Sequence, residues 1–526
     1  MSTTLKILPR ALHDNGGSRD AYPPTLEDLN KQVHEQVAEL LLWAMNNQGV
    51  FVAFEKELWS RLHVLGRLVL LVFLAARDAR LCRDATMCID DQVYRRRDNK
   101  QARNLETLFG PLRYFRSYYR ADKGGCYPLD TALGLLSDRL SLNLLSLGAR
   151  LCTMMSYAKA RSTLCFLLGQ APSTEVLEQT VLGLGARTGV WFEHAPAPKD
   201  DGTVLIIQID GKGPPCATEE ELARRRGKRG CRPAAPSPRH RGRHKRESYH
   251  KPERRQPGDK SKNAKMVTLV KMYTLKPGVH QGEAILLGPI NPKVYASFSN
   301  KRHAFEIARR EADKRGFSSD SGRQVQILTD GDQDFARYAK ELFPEAIHTV
   351  DIIHVIEYLW RASECLFRAS SSEQPAWVAE HKEMLYQGQE ALVVEHLRRR
   401  LEAIPSRGPG NKGKRDRLGQ IIAYLDKRLP LMNYKALIEQ DLELATGAGE
   451  GAIKNIIGAR FDIGGSRWIP ERAEALLHLR CIEHNGDWDT FIQWVHDEHL
   501  AASQKRSRPN RLQQGSPAPL PSAQAA

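Results

Sequence analysis

The chain has 526 residues, is 41% hydrophobic, and carries 78 Lys+Arg against 62 Asp+Glu, a formal charge of +16. That length predicts two to four domains, and that apolar content rules out a wholly disordered chain. The basic excess points to a polyanion as partner, nucleic acid before a membrane surface. Nine scattered cysteines without a C-x-x-C pair read as reduced thiols. The N-terminus lacks an apolar signal region, and the longest apolar run, Leu68 to Ala76, falls short of the roughly 20 residues a bilayer span needs. These features predict a cytoplasmic, nucleoid-associated protein with no membrane partner.

Residues 1–24 read as a flexible leader, and 25–100 as an N-terminal helical region, in which apolar residues recur every three or four positions from Thr25 to about Ala85. Segment 101–127 reads as a hairpin, because Leu108 to Ala121 alternates aromatic or aliphatic residues with Arg around a Gly-Pro turn. Residues 128–198 form a helix-turn-helix-like region, with a tight joint at Gly169 to Pro172 and Ser173 or Thr174 capping the last helix. Plain helical packing and major-groove reading are both open for it.

From 199 to 354 the period changes. Aliphatic runs VLIIQI, MVTLVKMY, EAILLG, VQIL and AIHTV predict five strands. KRHAFEIARREADKRG and DFARYAKELF predict helices between the third and fourth and between the fourth and fifth. An insertion at 221–265 interrupts the first two strands. Between Arg224 and Lys265 it holds 17 Lys/Arg and 3 Asp/Glu, so it predicts a disordered, phosphate-gripping loop. Its candidate nucleic-acid contacts are Arg224, Arg225, Arg226, Lys228, Arg229, Lys245 and Arg246. A second basic loop, Ser406 to Arg417, adds Lys412, Lys414 and Arg415. Residues 355–445 read as long helices, 446–500 as further helices, and 501–526 as a disordered tail.

Asp210 ends the first strand run and Asp330 ends the fourth, each followed by Gly. Strands of one sheet that end this way bring carboxylates to one edge, where open α/β sheets keep their sites. Asp332 and Asp334 are weaker candidates, with Asp334 favoured as a helix N-cap. No nucleophile elbow, P-loop or H-E-x-x-H accompanies them. Bare carboxylates suit Mg²⁺ or Mn²⁺, and two such ions perform phosphoryl transfer when a third acid joins the site. Glu450, after the Gly-rich turn of LATGAGEGAIKN, is that third candidate. Complementing the helix dipole is its other use.

QIDGK, LTDGD and GAGEGAIKNIIGARF, with the surrounding stretches GPLRYFRSYYRADKGGCYPLD, GPINPKVYASFSNKRHAFEIARREADKRGF and AIHTVDIIHVIEYLW, resemble the DDE transposases of the ISKra group of insertion sequences, relatives of the Lre and Mutator-type enzymes. The resemblance covers roughly 100–500. It implies an α/β RNase H-like catalytic domain with a large helical insertion at 355–445, preceded by a mainly α-helical N-terminal DNA-binding region. It further implies a catalytic and metal-binding triad, Asp210, Asp330 and Glu450, holding two Mg²⁺ or Mn²⁺ ions. Asp351 and His354 match a supporting motif on one helix face. Trp468 and Trp360 match aromatic positions with stacking or packing uses. The implied partners are double-stranded DNA (terminal inverted repeats and target) and further copies of the chain. The implied alternatives are a structure-selective RNase H-like nuclease and an inactive DNA-binding derivative. Two departures stand out. Cys126 is alone where relatives pair cysteines, so no zinc is expected. Gly449 stands where an aliphatic residue is expected, which predicts a looser turn before Glu450.

Overall fold

The structure is a computed structural model that describes residues 23–89, 92–122, 124–135, 139–223, 265–368, 371–464 and 466–506. The chain divides into two compact units. One comprises residues up to Ala149, Tyr157–Leu177 and Ile492 onward; the other comprises Arg150–Ser156 and Glu178–Phe491.

The first unit is built on helices α1 (Leu26–Asn46) and α2 (Phe51–Leu81). Thr25 caps α1 through a reciprocal pair with Asp28, which satisfies two donors at the helix start. At 31 residues, α2 is long and apolar enough to cross a membrane by length and composition, which the nine-residue run Leu68–Ala76 understates. Its polar groups are nevertheless tied into this unit. Asp78 is fully buried, accepts from Ser117 N and Oγ at 2.9 and 2.8 Å, and pairs with Lys100 at 2.9 Å.

The strands of this unit depart from expectation. β1 (Thr86–Ile89) and β2 (Gln92–Arg96) lie inside the stretch read as helical. The hairpin pairs β3 (Gln101–Thr107) with β4 (Gly110–Arg116) around Leu108-Phe109. Gly-Pro is not the turn: Pro111 sits in the ladder opposite Glu106, where Pro is tolerated at an edge. Two short strands, β5 (Tyr119–Ala121) and β6 (Gly124–Cys126), complete a sheet of order β1-β2-β5-β6.

Helices α3 (Leu142–Met154), α4 (Tyr157–Leu168) and α5 (Thr174–Gly185) occupy the helix-turn-helix-like region. Ser173 Oγ accepts Val176 N at 3.2 Å, so Ser173 provides the expected cap. Residues of this region fall in both units, so it is not a self-contained module.

The second unit centres on a five-stranded sheet: β7 (Val204–Lys212), β8 (Val267–His280), β9 (Glu283–Ser297), β10 (Gln324–Thr329) and β11 (Ile347–Val350). Their order is β11-β10-β7-β8-β9. β7, β10 and β11 are mutually parallel, while β8 runs antiparallel to both neighbours. The five expected strands all form. Alternation along β7 splits its residues between two cores. Leu205, Ile207 and Ile209 pack with Phe305, Ala308 and Phe335 of the helices Lys301–Lys314 (α6) and Gln333–Leu342 (α7). Val204 and Ile206 face the helices Ile352–Leu366 (α8), Glu373–Tyr386 (α9), Glu390–Ala403 (α10) and Asn411–Asp426 (α11). The 355–445 helices therefore share a core with the sheet and do not close one of their own. The basic loop expected at 406–417 is half helix, since α11 begins at Asn411. Beyond it come α12 (Tyr434–Glu439), α13 (Gly447–Ile453) with a π-helical continuation Lys454–Gly458, α14 (Pro470–His484), and α15 (Trp488–Arg506), which runs past the expected tail boundary at 501.

Candidate active site

Parallel pairing of β7 with β10 matches Gln208 to Leu328 and Ile209 to Thr329. One step further along the same register sets Asp330 beside Asp210, at the carboxyl ends of the two central parallel strands. Asp210, in phase with Val204 and Ile206, projects on the face that the 352–442 helices cover. Asp330 opens a turn that only Gly331 can make. Its φ is +79°, and a Cβ there would strike Arg428 and Val350. Helix α11 and Arg428, two residues beyond its end, brace this turn. Tyr424 Oη donates to Asp330 O at 2.8 Å, Arg428 Nε donates to Gly331 O at 2.7 Å, and Tyr358 of α8 stacks on Tyr424 at 3.7 Å.

Charge separates the acids that hold structure from those that do not. Asp332 caps α7, accepting from Asp334 N at 2.8 Å and Phe335 N at 3.4 Å, and pairs with Lys301 at 2.6 Å. Burial works to raise its carboxyl, but Lys301 and these amides outweigh it and hold the group below the usual range. The cap is thus Asp332, with Asp334 in the first turn, correcting the assignment of that role to Asp334. Asp210 behaves oppositely. Burial raises its carboxyl, the Asp330 and Glu450 charges add to the rise, and the Gly211 amide and His354 only partly offset it. Among the described residues neither Asp210 nor Asp330 has a Lys or Arg ion-pair partner, and Glu450 has only the exposed Lys454 at 3.5 Å. Half-buried, like-charged oxygens without a basic partner are what a divalent cation would satisfy.

Asp351, His354 and Glu450 offer ligand atoms within 4.8 Å of one another, a grouping able to hold a metal ion. It joins Glu450 to the expected support pair, with Asp210 electrostatically coupled to His354 and Glu450 beside it. Within the group, Asp351 is committed elsewhere. It is fully buried, caps α8 through Ile353 N at 2.7 Å, and accepts both Thr446 N at 3.0 Å and the Thr446 hydroxyl. It thereby pins the segment that leads into Glu450. His354 is half-buried and approaches Glu357 at 3.9 Å.

Gln208, Gln326 and Thr446 escaped the sequence reading. Gln208 lies on β7 two residues before Asp210 and is 2% exposed. Its Oε1 accepts Gly449 N at 2.6 Å. A Cβ on Gly449 would lie 3.0 Å from that oxygen and 3.3 Å from Gln208 Cβ. Glycine therefore tightens the approach of α13 to the sheet, the reverse of the looser turn expected. The available signal was a carboxamide inside an otherwise aliphatic strand run.

The proposed DNA contacts divide. Arg224, Arg225, Arg226, Lys228, Arg229, Lys245 and Arg246 lie outside the described residues. Lys412 and Lys414 are exposed on the first turn of α11. Arg415 is occupied, donating to the carbonyls of Leu401 at 3.0 Å and Ile404 at 2.5 Å at the end of α10. Trp468 is built into packing: Nε1 donates to Phe461 O at 3.0 Å, and its ring lies 4.7 Å from that of Phe461.

No protein-family model matches the chain, and no curated protein does. Among solved structures, the Drosophila P element transposase strand transfer complex aligns over 70% of this chain and 83% of its own, with 11% identity and a TM-score of 0.21. A likeness that slight carries no argument about fold or function.

Proposed function

We propose that the chain is a DDE transposase of the insertion-sequence type, an RNase H-like enzyme that cleaves and rejoins DNA at the ends of its element. What supports this reading is that Asp210 and Asp330 end neighbouring parallel strands, that the charges of Asp330 and Glu450 both act on Asp210, and that neither aspartate has a described basic partner. The net charge of +16 and the dense basic run after Arg224 support a DNA partner.

In this reading Asp210, Asp330 and Glu450 hold Mg²⁺ or Mn²⁺, with two ions the number phosphoryl transfer favours. When bound, the metal supplies a Lewis acid that makes an oxygen nucleophile available at neutral pH. Asp210 and Asp330 would hold the metal at the sheet edge, since two carboxylates alone would repel a phosphodiester. Glu450 completes the donor set from α13. Asp351 and Thr446 hold its approach, and His354 lines the opening. Lys and Arg of the 221–265 insertion, with Lys412 and Lys414, grip backbone phosphates without reading sequence.

The test is a labelled duplex carrying the element's own ends, incubated with Mg²⁺ or Mn²⁺ and with wild type, Asp210→Ala or Glu450→Ala protein. End-specific nicking that both substitutions abolish, with DNA binding retained, is the expected result. Cleavage that survives Glu450→Ala removes that residue from the site. Binding without any cleavage overturns the enzymatic reading.

A further inference from the structure

Between α12 and α13 the chain runs through Leu442 to Thr446, a segment that joins no sheet. Several of its backbone groups are nevertheless bonded to side chains of the central strands. Gln326, fully buried on β10, accepts Glu443 N at 3.1 Å and donates to Glu443 O at 2.7 Å. Gln208 donates to Ala445 O at 3.3 Å and accepts Gly449 N at 2.6 Å. The two carboxamides sit on one sheet face, because Gln326 pairs with Ile206 in the parallel register, two residues from Gln208. Their orientation is fixed: a backbone N–H cannot accept and a carbonyl cannot donate, so each amide has one allowed flip. Tyr273 Oη, 3.0 Å from Gln208 Nε2, donates to Glu443 Oε1 at 3.0 Å and locks the rung. Ile352 N donates to Leu444 O at 3.0 Å on the far side.

We propose that Gln208 and Gln326 are positioning residues for Glu450: a two-rung ladder of side-chain amides that sets residues 443–449 against the sheet and so fixes where the Glu450 carboxylate meets Asp210 and Asp330. This rests on the reading of Glu450 as a metal ligand. An aliphatic side chain at either strand position would pack as well in these cores, but it would leave buried backbone N–H and C=O groups unpaired and the segment free to shift. The carboxamides therefore serve the segment and, through it, the acid that follows.

The test combines amide exchange with a metal cycle on the full chain. Mn²⁺ is the probe, titrated against wild type, Gln208→Met, Glu450→Gln and the double variant. Exchange is read by mass spectrometry on peptides spanning 443–450. In Gln208→Met, exchange in 443–450 is expected to quicken about 5- to 100-fold. Mn²⁺ affinity is expected to fall about 10- to 100-fold, as when a group supporting a metal ligand is lost. The double variant is expected to bind no more weakly than Glu450→Gln alone, because Gln208 acts through that carboxylate. Gln208→Glu keeps an acceptor for Gly449 N–H and should retain part of the exchange protection. If Gln208→Met does not fold, Gln326→Met carries the same comparison. Unchanged exchange, or losses that multiply in the double variant, overturns the proposal. A wild-type chain that binds no Mn²⁺ instead sinks the proposed function, and the ladder is then judged on exchange alone, which needs no metal.

Discussion

Replacing Gly449 by alanine tests how tightly α13 is held to the sheet. The new Cβ would lie 3.0 Å from Gln208 Oε1 and 3.3 Å from Gln208 Cβ. Gln208 cannot retreat, since it is 2% exposed and bonded to Tyr273 and Ala445. Overpacking of this kind costs about 1–3 kcal/mol, and weakening the Gly449 N–H bond adds about 1 kcal/mol. Alanine returns about 1 kcal/mol through helix propensity. The net expectation is a loss of about 1–3 kcal/mol, a fall in melting temperature of several degrees at about 2–4 °C per kcal/mol. Gly451, two residues on in the same helix, has nothing within 4 Å of its Cβ position. Gly451→Ala should therefore stabilise by about 0.5–1 kcal/mol. Thermal unfolding of the two variants side by side is the assay. A Gly449→Ala chain as stable as Gly451→Ala would refute the close approach and the ladder built on it.

Because burial and the neighbouring carboxylates raise Asp210 in the fold, its favourable contribution is complete in acid and is lost as pH climbs through the raised value. Asp210→Asn should flatten that decline in metal-free protein and raise the melting temperature at neutral pH. It should also abolish stabilisation by Mn²⁺, which at 100 times its dissociation constant is worth about 2.7 kcal/mol for one site; a retained Mn²⁺ response would count against Asp210 as a ligand. Asp351→Asn turns an amide donor toward groups that already donate, so a loss of about 2–3 kcal/mol in chemical denaturation is expected. A neutral outcome would show that Asp351 does not pin Thr446. Deleting residues 224–264 should weaken DNA binding evenly across sequences and flatten its salt dependence by about 0.9 for each phosphate no longer neutralised, measured by titration from low to moderate salt. An unchanged slope would exclude that segment from the backbone grip.

Local pattern was enough to locate the five strands of the second unit and the two helices between them. Their aliphatic runs are set off by polar stretches, so the period reveals them. It also marked Asp210 and Asp330, because an acid ending an aliphatic run has no packing use there. Less was legible where local pattern and tertiary demand diverge. β1 and β2 follow α2 closely and are only four and five residues long, and the β3–β4 turn fell two residues before the Pro that suggested it. Which acid caps α7 was settled by where the helix begins: Asp332 precedes it and accepts the amides of Asp334 and Phe335, while Asp334 already lies in the first turn. The roles of Gly449 and Gln208, which are 241 residues apart, were settled by tertiary contacts. Periodicity fixes which face of an element is apolar, but a pairing across such a distance depends on how the sheet, the 352–442 helices and α13 close on one another.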